Sequence, residues 1–531
     1  MRIVNPADGS LVAALDEDSP QEIAGKYARA RAAQPAWAAR PIEHRLAAIR
    51  RFKALVKERA AELAGTLTRE MGKPIAQSRA ELSALDERLE FFLEHTGRAL
   101  APEDVLDRKG MLERITHEPL GVIANVSAWN YPYFVGANVF VPALLAGNAV
   151  LYKPSELAAL DERLEFFLEH SASALAPEDV LDRKGMLERI THEPLGVVAN
   201  VSAWNYPYFV GANVFVPALL AGNAVLYKPS ELASQTGLAI GGMLHASGVP
   251  GEVFAVVTGA GAAGAALVAQ PVDGVFFTGS YATGARIAAA VAPRMIRLQL
   301  ELGGKDPVYV CEDVDPARAA AAIADGAFYN TGQSCCAVER IYVHRRVWEA
   351  FLDAFVATVG SYRLGDPLDD ATYIGALARR DLQIAVLERQ VADAVARGAR
   401  ALLGGARVAR PGHFFAPTVL VDVDHGMQVM REESFGPLIG LMPVADDDEA
   451  LALVRDTDYG LTAAVYTADR RRAERLLAQV GVGTAYWNCC DRVSPRLPWS
   501  GRGHSGVGAT LSLDGIRAFL APKAWHLRAP V

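Results

Sequence analysis

The chain has few of the residues that mark several common protein classes. Only 5 of its 531 residues are cysteine, and no two of them stand in a C-x-x-C spacing, which disfavours a disulfide scaffold or a zinc site. Lysine and arginine (53) are fewer than aspartate and glutamate (61), a net charge of −8 that argues against a general nucleic-acid binder. The N-terminal MRIVNPADGS lacks the apolar core of a secretion signal. We therefore expect a cytoplasmic protein with reduced thiols.

Formal charge is also missing from two long stretches, 119–152 and 194–227. Asparagine, proline and glycine interrupt both of them, as in NYPYFVGANVFVPALLAGNAV, and such interruptions disfavour a helix that faces lipid. Short apolar runs separated by turn residues are typical of a buried parallel sheet. We expect no membrane-spanning segment and no membrane partner.

An internal repeat is the most unusual feature of the sequence. Residues 81–155 recur at 156–230, and the copies differ at only five pairs of positions, Ser83/Ala158, Thr96/Ser171, Gly97/Ala172, Arg98/Ser173 and Ile123/Val198. Removing one 75-residue copy from 531 residues leaves 456. Solenoids are built from several shorter units that stack on one another, so this pattern indicates a tandem duplication within an ordinary domain.

The remaining pattern predicts an α/β protein. Ser19 to Glu22 form a capping box that begins a helical region reaching to about residue 70. After residue 195, strand candidates alternate with apolar helical segments, which predicts a doubly wound parallel sheet; the candidates are Val197–Ala203, Ala224–Tyr227, Val253–Val257 and Gly274–Phe277. A second alternating block runs from about 304 to 490. The C-terminal SLDGIRAFLAPKAWHLR predicts a helix, a turn and a strand that needs a sheet to join.

Chain continuity predicts which copy enters the sheet. Residues 1–80 lead directly into the first-copy helix at 84–95, whereas Ser234 onward continues from the second copy. We expect the crossover between that helix and the strand at 197. The sheet would then use second-copy residues, and Asn130, Lys153 and Glu156 would be surplus.

Single motifs leave the chemistry open. Cys335 follows Thr-Gly-Gln-Ser and fits an exposed nucleophile or a buried structural thiol. Glu301 precedes two glycines and fits a site carboxylate or a solvated turn. Gly279 and Ser280 end a strand and resemble a phosphate-binding turn, while Lys228 lies in KPSE, which fits a nucleotide contact, a capped helix start, or both.

Together the motifs are specific. SAWNYP (202–207), KPSE, FTGS, LELGGKDP, GQSC and EESFGP (432–437) occur in this order, and the chain resembles the NAD(P)-dependent aldehyde dehydrogenase superfamily over nearly all of its length once 75 residues are removed. The remaining 456 residues are a usual length for its shorter bacterial members. The resemblance implies three catalytic positions: Cys335 as nucleophile, Glu301 as the general base for the deacylating water, and Asn205 as an oxyanion donor.

The resemblance also implies a dinucleotide cofactor and no metal. The implied adenosine-side residues are Trp204, Lys228, Ser230 and Glu231; the pyrophosphate turn is Gly279 and Ser280; and Glu433 and Phe435 hold the nicotinamide ribose and ring. A carboxylate at 231 repels a 2′-phosphate, which favours NAD over NADP. The substrate would be a small-molecule aldehyde that the sequence does not identify.

The implied architecture has a Rossmann-like cofactor domain, a second α/β catalytic domain and a small β arm for assembly as a homodimer or homotetramer. The predicted bounds are 1–95 and 197–302 for the cofactor domain, 96–196 for the partly surplus duplicated segment with an oligomerisation hairpin at about 179–196, 303–500 for the catalytic domain and 501–531 for the oligomerisation tail. Two alternatives stay open: transfer of the acyl group to coenzyme A, which Glu301 disfavours, and a dinucleotide-binding protein impaired by the duplication.

Overall fold

The computed structural model describes most of the chain outside the first copy of the repeat. Described are residues 2–38, 44, 47, 50–51, 54–55, 57–79, 171, 174–183 and 186–528, together with four short strands within 103–154. The predicted helix at 84–95, Asn130 and Glu156 lie outside these residues. Within the described part, no helix is long and apolar enough to cross a membrane.

Helices and strands alternate along most of the described chain. The helices are α1 (Pro20–Ala38), α2 (Ala60–Met71), α3 (Pro207–Leu220), α4 (Ser234–Ala246), α5 (Gly261–Val268), α6 (Tyr281–Val291), α7 (Pro316–Phe328), α8 (Trp348–Gly360), α9 (Asp381–Ala396), α10 (Gln428–Arg431), α11 (Asp447–Arg455), α12 (Arg470–Leu477) and α13 (Ser512–Arg517). The strands are β1 (Arg2–Val4), β2 (Leu11–Ala14), β3 (Glu103–Arg108), β4 (Met111–Ile115), β5 (Val122–Ser127), β6 (Ala149–Pro154), β7 (Glu178–Arg183), β8 (Met186–Pro194), β9 (Val197–Val201), β10 (Ala224–Lys228), β11 (Phe254–Val256), β12 (Gly274–Thr278), β13 (Arg297–Glu301), β14 (Asp306–Val310), β15 (Val338–His344), β16 (Arg400–Leu403), β17 (Thr418–Val421), β18 (Leu438–Val444), β19 (Tyr459–Gly460), β20 (Thr462–Tyr466), β21 (Thr484–Trp487), β22 (Arg502–Gly503), β23 (Gly506–Val507) and β24 (Leu520–Arg528).

The first large sheet has the order β11-β10-β9-β12-β13-β23. Its first five strands are parallel, and β23 is antiparallel at the edge. Strand β10 is buried on both faces, since Tyr227 packs into one apolar cluster and Leu226 into another. The chain reverses its direction of strand addition between β9 and β12, and ligands bind at the carboxyl ends of the strands beside such a switch point.

The second large sheet has the order β16-β17-β18-β15-β14-β20-β21. It is parallel except for β16, which runs antiparallel to β17. Here too both faces are covered, because alternate residues of β15 belong to different clusters, Ile341 to one and Tyr342 to the other. The two parallel sheets with helices on both faces establish the α/β class that the sequence predicts; the domain bounds stay predictions.

The C-terminal tail forms the helix, turn and strand that its sequence predicts. Helix α13 is followed by β24, which pairs antiparallel with β8 over nine residues, from Leu520 opposite Pro194 to Arg528 opposite Met186. Strand β7 completes a three-stranded sheet. Most of β24 is exposed, so the tail is held to the molecule by its ladder with β8.

Second-copy residues supply β9 and β10 of the first sheet, as the sequence predicts. The corresponding first-copy strands, β5 and β6, pair with each other in a separate two-stranded sheet. The four strand candidates after residue 195 all form, with ends within two residues of prediction. The capping box of α1 also forms, since Ser19 N donates to Glu22 Oε2 at 2.7 Å and Glu22 N donates to Ser19 Oγ at 3.3 Å.

Candidate active site

The turn before Cys335 has a backbone that few residue types tolerate. Asn330, Thr331 and Gly332 have φ of 52°, 59° and 71°, and a Cβ on Gly332 would lie 2.3 Å from the carbonyl oxygen of Gly436. The Asn330 amide holds the turn by donating to the carbonyl oxygens of Asn205 and Gln333, each at 3.1 Å. This small-residue turn carries Cys335 from the end of α7 into the crevice before β15.

Cys335 and Glu301 face each other across the crevice. The Cys335 Sγ donates to Glu301 Oε1 at 3.9 Å; Glu301 ends β13 and is buried. Gly304 permits this approach, because a Cβ there would lie 2.8 Å from the Cys335 carbonyl oxygen. The sequence pointed to both residues separately, and the fold places a carboxylate beside the thiol.

The local charges keep Cys335 protonated at rest. The Cys336 thiol lowers the pKa of Cys335, but burial and the negative charges of Glu301 and Asp491 outweigh it, so the pKa lies above its usual value. Since the thiolate is the nucleophilic form, this site needs a base that removes the proton, and Glu301 is in position to accept it.

Asn205 lies on the other side of the same turn. Its side chain is buried, and its amide donates to the Gln333 carbonyl oxygen at 3.2 Å. An amide nitrogen has two hydrogens, so one remains to be directed toward a substrate oxygen. The three residues predicted to be catalytic therefore meet at one turn, although they come from segments 128 residues apart in sequence.

Sequence reasoning missed Asp491. Its Oδ1 accepts from Cys336 Sγ at 3.0 Å and from Ser334 Oγ at 2.9 Å, so it anchors the residues on both sides of Cys335. Asp491 itself has a left-handed backbone, with φ of 48°. The acid directly after Cys489 and Cys490 was the available signal, but its partners are more than 150 residues away.

A second group of predicted residues lies where β10 ends. Lys228 is buried and its Nζ lies 3.5 Å from a Glu231 carboxylate oxygen; it also donates to the Pro229 carbonyl oxygen at 3.0 Å. Burial lowers the pKa of Lys228. Ser230 Oγ accepts from Leu232 N at 3.3 Å and caps the short helix Glu231–Ala233. The capped helix start therefore exists, and it is compatible with a ligand contact by the same residues.

Glu70 supports this corner and was not predicted. Its carboxylate accepts from Gln235 N at 2.7 Å and from Thr236 N and Oγ1 at 3.0 and 2.7 Å, so it caps the start of α4 from a different helix. Burial raises the pKa of Glu70 to about 7. A cap supplied from 165 residues away leaves no local pattern that sequence reasoning can use.

Gly279 and Ser280 lie where β12 meets α6. Gly279 N donates to the Glu301 carbonyl oxygen at 3.1 Å, and a Cβ at this position would lie 2.5 Å from the Phe277 ring. Ser280 occupies the N-cap position of α6, and its Oγ donates to Thr283 Oγ1 at 3.2 Å. A tight glycine turn at a helix N-terminus is suited to an anionic group.

The predicted nicotinamide-side residues adjoin the catalytic turn. Glu433 accepts from Gly304 N at 3.1 Å, and a Cβ on Gly303 would lie 2.2 Å from its carboxylate. The rings of Phe435 and Trp204 meet edge to face at 5.5 Å between centroids. Burial, followed by the charge of Glu339, raises the pKa of Glu433 to about 8. At neutral pH this carboxyl can therefore donate a hydrogen bond as well as accept one.

A buried ion pair that sequence reasoning missed fixes Glu433 and Phe435. Glu339 accepts from the backbone N of Ser434 and Phe435, at 2.9 and 3.0 Å, and pairs with Lys305 at 2.5 Å. Phe435 needs this support because its φ is 49°. Within the described residues, no cluster of His, Cys, Asp and Glu is arranged to hold a metal ion.

Comparison with known proteins points to one family. The model of the aldehyde dehydrogenase family matches residues 1–182 and, in a second overlapping match, 162–525. A betaine aldehyde dehydrogenase of Cereibacter sphaeroides is 32% identical over 511 residues, which is 95% of this chain and 89% of that protein. Two solved structures cover nearly the whole fold. An NADP-dependent enzyme of E. coli has a TM-score of 0.83 at 27% identity, covering 99% of this chain and 94% of its own. PnpE in complex with nicotinamide adenine dinucleotide has a TM-score of 0.82 at 27% identity, covering 100% and 95%. The chain belongs to the aldehyde dehydrogenase family and is an enzyme that oxidises an aldehyde.

Proposed function

We propose that the enzyme oxidises its aldehyde to a carboxylic acid with NAD, through a thioester on Cys335. The contact between Cys335 Sγ and Glu301 Oε1 at 3.9 Å carries the proposal, because it pairs a nucleophile with a base in one buried crevice. Glu301 accepts the thiol proton, and the thiolate adds to the aldehyde carbon. The Asn205 amide and the Cys335 backbone N–H stabilise the oxyanion that forms.

The residues of the crevice fit a dinucleotide. Gly303 leaves room that a Cβ would fill beside Glu433, and Gly279 does the same at the start of α6. Glu433 and Phe435 would hold the nicotinamide ribose and ring, Gly279 and Ser280 the pyrophosphate, and Trp204, Lys228, Ser230 and Glu231 the adenosine side. The bound dinucleotide supplies a hydride acceptor. Glu301 then turns toward water, removes its proton and releases the acid from Cys335.

A burst experiment tests the roles of the two catalytic residues. We expect Cys335→Ala to abolish NADH formation, and Glu301→Gln to slow turnover by at least about 100-fold, since loss of a general base costs on that order. The matched control is Cys489→Ala, which removes a half-buried thiol outside the proposed chemistry. Full turnover by Cys335→Ala would refute the proposal.

NAD is proposed over NADP because of Glu231. This carboxylate is partly exposed where β10 ends, in a position to accept from a ribose hydroxyl and to repel a 2′-phosphate. The ratio of kcat/KM for NAD and NADP in the wild-type enzyme tests the preference, and a ratio below one contradicts it.

Hydrolysis is proposed over transfer to coenzyme A. Glu301 supports this choice, because release to water needs a base that release to a thiol does not. NADH formation measured with an aldehyde panel, with and without coenzyme A, separates the two activities. Acid release that depends on coenzyme A contradicts hydrolysis, and no NADH under any condition supports the impaired dinucleotide-binding protein.

We further propose that the ancestral chain was of the short bacterial type and gained 75 residues by tandem duplication. The two overlapping family matches and the separate pairing of β5 with β6 support this. A variant lacking residues 96–170 tests it: we expect activity and solubility at least equal to those of the full chain. A cytoplasmic location and assembly as a homodimer or homotetramer through the β24-β8-β7 sheet are proposed with it. Sedimentation analysis of a variant lacking β24 tests the assembly.

A further inference from the structure

Trp499 is fixed beside the proposed base. Its indole Nε1 donates to Glu301 Oε1 at 2.6 Å, and the two side chains are 4% and 5% exposed. The Trp499 backbone pairs in both directions with Thr510, at 2.8 and 2.9 Å. The indole therefore presents its N–H to the carboxylate from a backbone that is itself held.

The same oxygen of Glu301 receives both contacts. Oε1 lies 2.6 Å from the indole nitrogen and 3.9 Å from Cys335 Sγ. A carboxylate held this way has its accepting oxygen turned toward the thiol. In this orientation it is ready for the first proton transfer.

The other titratable groups around Cys335 are acidic. Cys336 adjoins it in the turn, Asp491 comes from the loop after β21, and Asp306 begins β14. Negative charges nearby disfavour an ionised carboxylate, whereas a hydrogen bond donated to its charged form favours it. The indole N–H of Trp499 is such a donor.

We propose that Trp499 is a positioning residue that keeps Glu301 ionised and directed at Cys335 for the first step. This rests on the proposed function, in which Cys335 is the nucleophile and Glu301 the base. In the step, the S–H bond breaks, the proton moves to Glu301 Oε1 and the electron pair stays on sulfur. Deacylation requires Glu301 to turn toward water, so the Trp499 bond assists the first step and not the last.

The test uses Trp499→Phe, which keeps an aromatic ring and removes the N–H. The matched control is Trp487→Phe, whose indole donates to the Thr467 carbonyl oxygen at 2.9 Å on a partly exposed strand. Alkylation of Cys335 by iodoacetamide is followed against pH by mass spectrometry of its peptide, in protein without dinucleotide. The pH profile of kcat/KM for an aldehyde is measured in parallel.

We expect the acidic limb of both profiles to move up by about one pH unit in Trp499→Phe, which slows alkylation on that limb about tenfold. The kcat value, where deacylation limits it, should stay within about twofold, because the bond is absent from that step. Trp487→Phe should retain the wild-type profiles. Coincident profiles for Trp499→Phe and Trp487→Phe overturn the inference.

Glu301→Gln separates this inference from the proposed function. If it removes the acidic limb while Trp499→Phe leaves the limb unchanged, only the role of Trp499 fails. If Glu301→Gln leaves the limb in place, Glu301 is not the base and the proposed function fails as well. Should Trp499→Phe not fold, Trp499→His and Trp499→Met replace it: the His variant, which keeps a ring N–H, should lie closer to wild type, and equal profiles overturn the inference.

Discussion

The two copies of the repeat contain the same pair of strands in different surroundings. In the first copy, β5 pairs with β6 in parallel, with Val122 opposite Ala149. In the second, β9 pairs with β10 in parallel, with Val197 opposite Ala224, which is the same register 75 residues later. Only the second pair also contacts β11 and β12. The register of the pair is therefore encoded within the repeat, whereas membership of the large sheet depends on the segments that lie after the repeat in the chain.

Loop lengths explain why the second copy is used. With the second copy in the sheet, the extra 75 residues lengthen the connection from Arg79 to β7, which grows about fourfold relative to a connection to β3 and costs about 1.3 kcal/mol. With the first copy, they would lengthen the short connection from the sheet to α4 about sixteenfold, which costs about 2.4 kcal/mol. The second copy also keeps Lys228 and Ser230 directly before α4. Chain continuity thus decides between identical strands.

The largest expected difference between the copies is catalytic. Asn205→Ala removes an oxyanion donor, so kcat should fall by about 100- to 1,000-fold. Asn130→Ala changes the matching residue of the first copy and should leave kcat unchanged. Steady-state NADH formation by the two variants measures this. Loss of activity in Asn130→Ala with a functional Asn205→Ala would reverse the assignment of the copies.

The core gives the next largest difference. Leu226 is fully buried in β10, and Leu226→Ala should lower the free energy of unfolding by about 3 kcal/mol, since it loses apolar burial and leaves a cavity. Leu151→Ala makes the same change at the matching position of β6 and should cost much less. Denaturant unfolding of both variants checks this. Equal losses would mean that both copies belong to the cooperative core.

These differences also mark how far the sequence could predict the structure. The strands, the tail and the catalytic turn follow local patterns, because each motif lies within a few consecutive residues. The supports do not: Glu70 caps α4 across 165 residues, and Asp491 reaches Ser334 across 157. A carboxylate gives no local sign of the distant amide or thiol that it will accept from. The residues that hold the site in shape were therefore found only in the folded chain.

Cofactor choice gives a smaller difference. Glu231→Gln removes one negative charge beside the proposed adenosine site, so use of NADP should improve relative to NAD by about fivefold, corresponding to about 1 kcal/mol for a charge pair at 4 Å in water. Glu156→Gln is the matched first-copy variant, for which no change is expected. The ratio of kcat/KM for the two dinucleotides is the measurement. An unchanged ratio in Glu231→Gln would remove the basis for preferring NAD.

The smallest difference concerns the tail, where a surface hydrogen bond distinguishes the copies. The Trp525 indole donates to Thr191 Oγ1 at 2.8 Å across the β24-β8 ladder, whereas Thr116 is the matching first-copy residue. Thr191→Val keeps the side-chain shape and removes the acceptor, at a cost of about 0.5–1 kcal/mol because the site is open to water. Hydrogen exchange of the β24 amides should therefore quicken by about two- to fivefold, with no change in Thr116→Val. Faster exchange in Thr116→Val instead would show that the tail pairs with the first-copy hairpin in solution, since β4 carries the same sequence as the start of β8 and differs from it in this respect only by its place in the chain.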